Sequence, residues 1–213
     1  YEPNTRATVL ELYDGLKAET QNHWPSLKHD VGAINDAFYM FFSAGFYYKT
    51  FMWPKSFWNK VYEPFIRSAA GLGVAPAVPD PGRYANRHAH CDVLVIGAGP
   101  AGLAAALAAT QSGKRVIIAD EQAEPGGSLL HARGVEINGE PAAGWLRSTL
   151  STLDSHENVV LLPRTTAFGY YNHNHVAMVE RVSDHLTGAP SSMPRERLWQ
   201  VRAKEVVIAN GGH

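Results

Sequence analysis

The chain has 213 residues, 45% hydrophobic and 18% charged, a balance that supports a buried core in one large or two small domains. Its formal net charge of −1 excludes the basic footprint of nucleic-acid binding or of attraction to an anionic membrane surface. The single cysteine, Cys91, excludes an intrachain disulfide and any iron–sulfur cluster held by this chain's cysteines alone, and it suits a reducing, cytoplasmic setting. No apolar run approaches the ~20 residues of a membrane span. The chain begins at Tyr1 rather than Met and stops at Asn210-Gly211-Gly212-His213, directly after an apolar strand, so it reads as a piece of a longer polypeptide.

Residues 1–75 form an aromatic-rich N-terminal segment, with Trp24, Phe38, Phe41, Phe42, Trp53, Phe57, Trp58 and Phe65 among its rings. Thr8–Leu12 fits a short strand and Val31–Phe42 a short helix. Trp53-Pro54 breaks the chain. Ser56–Ala70 fits a helix with Phe57, Val61, Phe65 and Ala69 on one face, kinked or interrupted at Pro64. Such aromatic density favours burial, against the nucleotide domain or against residues missing from this sequence, and a protein–protein or flavin-facing surface is the alternative. Residues 76–90 read as a Pro/Gly linker containing Pro79, Pro81 and Gly82. His88 and His90 at its end lack a third metal ligand, so a solvated linker is the reading there.

The core stretch is Cys91–Gly127. Cys91–Ile96 has the length and apolarity of a buried strand. Gly97, Gly99 and Gly102 complete G-x-G-x-x-G. Pro100 to about Ser112 follows as a helix, with Pro100 where a helix start tolerates a missing N–H. Gly113 ends the helix, and Arg115–Ala119 is a second strand. Gly97 permits the tight turn, Gly99 lets a pyrophosphate approach the backbone, and Gly102 lets helix and sheet pack closely. The N–H groups at the helix start then face the phosphates, with Pro100 and Ala101 lining the turn. Asp120 stands close to the roughly 20 residues past the fingerprint expected of a ribose-binding acid. Its charge would repel a 2′-phosphate. Glu121 is the nearest competitor for the role, and Gly126, Gly127 and Ser128 close the other side.

Ser128–Glu140 reads as a loop, and Pro141 to about Ser155 as an amphipathic helix carrying Leu146, Leu150 and Leu153. Asn158–Leu162 is a third strand. Thr165–Tyr171 and His175–Val182 pair across the turn Asn172-His173-Asn174. Thr166, within Thr165–Ala167, lies where an adenine would sit. Asp184–Arg195 is a loop, and Leu198–Arg202 and Glu205–Ala209 are two further strands, the second leading to Gly211. Residues 91–213 thus form the dinucleotide-binding domain. The fold class is α/β, a Rossmann-like FAD/NAD(P)-binding domain with a βαβ unit and a β-meander crossover, preceded by the aromatic-rich segment. No Ser-His-Asp arrangement and no zinc spacing stands out, and no catalytic residue or metal ligand is assigned.

Gly97–Leu103, Asp120 and Val206–Gly211 together resemble the two-motif FAD/NAD(P)-binding superfamily, with Ala209-Asn210-Gly211 where the second motif usually ends Ala-Thr-Gly. The stretches EPNTRAT from Glu2, QNHWPSL from Gln21, AGFYYKTFMWP from Ala44, Tyr62-Glu63-Pro64, AAGLG from Ala69 and ADEQAEPGGSLL from Ala119 resemble the α subunit of heterotetrameric sarcosine oxidases. The resemblance covers essentially the whole chain. It implies a flavin-dependent enzyme that demethylates sarcosine with oxygen and tetrahydrofolate, giving glycine, hydrogen peroxide and 5,10-methylenetetrahydrofolate. It implies NAD on this chain, FAD on a β subunit, FMN near the α/β interface, and small subunits completing a hetero-oligomer. Two alternatives stay open: an independent FAD- or NAD-dependent oxidoreductase, and a non-catalytic nucleotide-binding assembly module of a related amine or opine dehydrogenase complex.

Overall fold

The computed structural model describes residues 7, 10–20, 22–42, 44–46, 49, 51, 53–72, 77–190 and 192–211. Two compact units are present: Tyr1–Leu10 with Gly15–Asp80, and Glu11–Asp14 with Pro81–His213. No helix among the described residues is long and apolar enough to cross a membrane.

The first unit is built from short pieces. Pro25–Ser26 pairs antiparallel with His29–Asp30, and the Asp30 carboxylate caps the next turn by accepting from Gly32 N–H at 2.9 Å. The single helix expected over Val31–Phe42 is instead a 3₁₀ turn Val31–Ala33, an α turn Ile34–Ala37 and a 3₁₀ turn Tyr39–Phe41. Gly32, Asn35 and Asp36 and the bulky aromatics that follow are weak helix formers. The expected helix over 56–70 is a 3₁₀ turn Lys55–Phe57, a π turn Trp58–Tyr62 and an α-helix Glu63–Ala69. Pro64 falls in the first turn of that helix, where its missing N–H costs nothing. Of the proposed strand Thr8–Leu12, Thr8 and Val9 lie outside the described residues, and Leu10–Leu12 are not in a strand.

The aromatics are not enclosed by the described residues of this unit. Trp24, Phe41, Trp53 and Phe65 are at least 70% exposed, and no described residue of these helical turns is buried. Elements of three to seven residues are too short to enclose a core. The rings meet one another locally instead: Phe42 and Phe46 stand 4.8 Å apart between centroids, Phe51 and Tyr62 5.1 Å.

In the second unit the elements are β1 (Tyr84–Ile96), α1 (Pro100–Gln111), β2 (Val116–Ala119), α2 (Ala142–Asp154), β3 (Val159–Leu162), β4 (Thr165–Tyr171), β5 (His175–Arg181) and β6 (Glu196–Ile208). They form one six-stranded sheet in the order β3-β2-β1-β6-β5-β4. The β1, β2, β3 and β6 pairings are parallel, and the β6–β5 and β5–β4 pairings antiparallel. A parallel Rossmann half-sheet and an antiparallel meander are therefore joined at β6.

Two sequence expectations change here. Residues 84–90, read as the end of a linker, are strand, and they pair with 196–202 of β6. The strands proposed at Leu198–Arg202 and Glu205–Ala209 are one continuous strand with no Gly or Pro to break it. Its first half serves the meander and its second half the parallel sheet. The loop proposed over Ser128–Glu140 contains a 3₁₀ turn Gly127–Leu130 and a two-residue pairing of Glu136–Ile137 with Glu140–Pro141.

Strand alternation divides the core. Val93 and Val95 of β1, with Val116 and Ile118 of β2, pack under Leu103 and Ala106 of α1 and Trp145, Leu146 and Leu153 of α2. Leu94, Ile117 and Ala119 point the other way and join Leu162, Val176, Met178 and Val201; Cys91 joins the same cluster across the irregularity at Asp92, where Asp92 and Val93 N–H both donate to Arg115 O. Burial of the Cys91 thiol pushes its pKa up to about 11, aided by the neighbouring Asp92 charge.

Candidate dinucleotide-binding site

The candidate residues meet at the C-terminal ends of the parallel strands, where open α/β sheets bind ligands. Gly97 leaves β1 with φ 102°, a conformation that a side chain resists. Its N–H donates to Ala119 O at 2.7 Å, and an added Cβ would run into the carbonyl of Ala209. Gly102 lies against the same turn, and a Cβ there would collide with Gly97 O. Around Gly99 the space is open, with nothing within 4 Å of an added Cβ. This is the local shape that admits a pyrophosphate.

Helix α1 begins at that opening. Its N-cap Gly99 supplies no side-chain bond, Pro100 has no N–H, and Leu103 N–H makes the turn's bond to Gly99 O at 2.9 Å. Ala101 and Gly102 N–H precede that bond, so the helix start presents donors and the positive end of its dipole. Ala101 is exposed and Pro100 half-buried.

Asp120 lies at the end of β2. Its Oδ2 accepts from Ala98 N–H at 2.5 Å and its Oδ1 from Gln122 N–H at 2.8 Å. A carboxylate offers about four acceptor positions, so those left over suit two ribose hydroxyls. The Asp120 carbonyl accepts from Thr165 N–H at 2.7 Å, which brings the start of β4 beside the acid. Thr166, half-buried, is next in chain and pairs opposite Val179.

The second glycine turn completes the ring. Gly126 is buried at φ 135°, and its N–H donates to Ala98 O at 2.8 Å. A Cβ on Gly127 would stand 3.0 Å from Gly99 Cα. Ser128 is exposed in the turn that follows. Ala209 N–H donates to Ile96 O at 2.7 Å, so the second motif arrives beside Gly97. Gly211 is exposed at φ 74° with open space about it. The site therefore draws together Gly97–Gly102, Asp120, Gly126 and Gly127, with Thr166, Ser128 and Gly211 at its margin.

Sequence reasoning missed Ala98, which bonds both Asp120 and Gly126; its only signal is a small residue between two glycines. It also missed two arginine contacts. Glu121 O accepts from Arg181 Nη2 at 2.7 Å. Arg164, at φ 53°, holds Glu11 in a bidentate pair at 2.5 and 2.9 Å. That hydrogen bond lowers the Glu11 pKa and raises that of Arg164, while burial lowers that of Arg181. Among the described residues no group of three or more His, Cys, Asp or Glu is placed to hold a metal ion. His88 and His90 are exposed on β1, and His173 occupies the turn before β5 at φ 60°.

The glycine turn, the acid at the end of β2 and the parallel order β3-β2-β1-β6 define an oxidoreductase-type FAD/NAD(P)-binding domain. Residues 92–178 match a family model described as FAD dependent oxidoreductase. Across nearly its whole length the chain is similar to part of the sarcosine oxidase α subunits. It is 54% identical to sarcosine oxidase subunit alpha of Rhizobium meliloti over 210 residues, covering 99% of this chain and 21% of that protein. It is 49% identical to the subunit of the same name from Corynebacterium sp. (strain P-1) over 144 residues, 67% of this chain and 15% of that protein. The chain thus spans about a fifth or less of the length of these curated relatives. Among solved structures, L-proline dehydrogenase from P.horikoshii matches at TM-score 0.46 and 25% identity, covering 59% of this chain and 23% of that one.

Proposed function

We propose that this chain is the NAD-binding part of the α subunit of a flavin-dependent sarcosine, or secondary amine, oxidase. The observation that carries the reading is 54% identity over 99% of the chain to an α subunit of that name. The open space at Gly99, the free donors of α1 and the uncommitted acceptor positions of Asp120 support a bound dinucleotide. Gly97, Gly99, Pro100, Ala101 and Gly102 hold the pyrophosphate. Asp120, with Glu121 behind it, holds the adenosine ribose. Gly126, Gly127 and Ser128 close one side, and Thr166 and Gly211 the margins.

In this account the amine is oxidised elsewhere in a hetero-oligomer, at FAD on a β subunit, with FMN near the subunit interface and small subunits completing the complex. Sarcosine, oxygen and tetrahydrofolate yield glycine, hydrogen peroxide and 5,10-methylenetetrahydrofolate. No residue of this chain is assigned to the chemical step, and the complex works in the cytoplasm. The match of residues 92–178 to an FAD-dependent family supports a second reading, in which the same cradle holds FAD. The test is purification of the complete native polypeptide with its partners. Sarcosine-dependent peroxide formation by a complex containing flavoprotein subunits is expected. A partner-free polypeptide that turns over a nicotinamide substrate by itself would overturn the reading.

A further inference from the structure

Two hydrogen bonds orient the Asp120 carboxylate, and one of them comes from its own turn. Oδ1 accepts from Gln122 N–H at 2.8 Å and Oδ2 from Ala98 N–H at 2.5 Å. The direction of the carboxylate therefore depends on the path of the backbone from 120 to 122. All three carbonyls on that path are tied to the meander side of the sheet. Asp120 O accepts from Thr165 N–H at 2.7 Å and Gln122 O from Arg164 N–H at 2.9 Å, both main-chain bonds at the entry to β4. The carbonyl between them, Glu121 O, accepts instead from a side chain, Arg181 Nη2 at 2.7 Å.

Arg181 is the last residue of β5, and its own N–H donates to Arg164 O at 2.9 Å. Its side chain is half-buried, with the charges of Asp184, Glu121 and Glu11 acting on it against that of Arg164. A guanidinium keeps its charge, so taking it partly out of water is costly unless it is bonded, and its hydrogen bonds are stronger than neutral ones. Arg164 differs. Its guanidinium is paired with Glu11 at 2.5 and 2.9 Å, and the bond that it gives the acid turn comes from its main chain. We propose that Arg181 is a positioning residue for the ribose acid: by holding Glu121 O it fixes the 120–122 turn, and with it the direction in which Asp120 presents its remaining acceptor positions to the ribose hydroxyls. It acts through Asp120 and makes no bond to the nucleotide. The inference rests on Asp120 being the ribose acid of the proposed dinucleotide site.

The experiment uses the complete native polypeptide, equilibrated with an equimolar mixture of NAD and the analogue that lacks the 2′-hydroxyl of the adenosine ribose. Bound nucleotide is released by denaturation and measured by mass spectrometry. Wild type should favour NAD about tenfold or more, the worth of one hydrogen bond to a charged group. Arg181→Ala keeps Asp120, yet the preference should fall at least about threefold, toward equal binding. Arg181→Gln stays polar but is too short for the same reach, so it should lose preference in the same way and serves if the alanine variant does not fold. Glu11→Gln loosens the neighbouring pair without touching the acid turn, and its preference should match wild type. A preference that stays at the wild-type value in the Arg181 variants, with both nucleotides weakened in parallel, would reduce Arg181 to a structural tie and overturn the proposal alone. An equal loss of preference in Glu11→Gln would overturn it too, because general loosening would then account for the effect. A wild-type protein that binds neither nucleotide, or does not distinguish them, would overturn the ribose-acid reading itself, and the proposal with it.

Discussion

Asp120 Oδ2 accepts a hydrogen bond from Ala98 N–H at 2.5 Å, and Ala98 O accepts one from Gly126 N–H at 2.8 Å. One small residue thereby couples the acid at the end of β2 to both glycine turns. Asp120→Ala removes the acceptor of two backbone N–H groups, Ala98 and Gln122. The expected loss is about 1–3 kcal/mol of stability, read by calorimetry. Nucleotide affinity should fall by more than this destabilisation accounts for. An unchanged melting temperature would mean that water replaces the carboxylate without cost.

Gly99 and Gly102 separate ligand approach from packing. Gly99→Ala places a methyl in open space at a φ of −73°, which alanine adopts freely. Its stability should stay within ~0.5 kcal/mol of wild type while nucleotide affinity drops. Gly102→Ala drives a methyl into Gly97 O and should cost about 1–3 kcal/mol or more. Equal effects of the two on melting temperature would contradict this division.

Cys91 is 2% exposed, and burial pushes its thiol up to about 11. Reactivity requires the thiolate. Native protein at mildly alkaline pH should therefore resist iodoacetamide, and denatured protein should alkylate fully. Rapid labelling of the folded chain would show that β1 opens locally.

Glu11 gives the acid limb of stability a definite sign. The Arg164 hydrogen bond, with the charges of His185 and Arg181 adding to it, lowers its pKa below the ordinary 4.5. A carboxyl depressed in the folded state stabilises above its unfolded value, and that stabilisation disappears as pH falls through the folded value. Glu11→Gln should thus melt lower than wild type at neutral pH, and the gap should close as pH falls from the ordinary carboxylate value through the lower folded value. A gap that is constant across that range would place the effect in packing rather than charge. Asp92 works in the same direction. Its hydrogen bonds to Lys204 and to the N–H of Arg115 hold it well below the usual carboxylate range, so some acid sensitivity should remain in the variant.

Where one residue type had one physical use, the sequence was informative. The glycines at 97 and 102 answer to a positive φ and to a close helix contact, and both requirements are local. The strand–helix–strand order from Cys91 to Ala119, helix α2 and the turn at Asn172–Asn174 follow from short-range periodicity and turn chemistry. The N-terminal half of β1 was not legible. Arg87, His88 and His90 carry no strand pattern, and they are held extended only by pairing with β6, more than a hundred residues away. The Glu11–Arg164 pair was hidden for the same reason. It joins segments 153 positions apart, and nothing near either residue marks the other. For the aromatics, ring density signals contact area without saying which molecule supplies the other side.

The central claim, a nicotinamide dinucleotide held by Gly97–Gly102 and Asp120, is tested most directly by mass spectrometry of nucleotide released on denaturing the complete native polypeptide. The account predicts one NAD per chain, lost or sharply reduced in Asp120→Ala. FAD in its place, or no adenine dinucleotide at all, would contradict it.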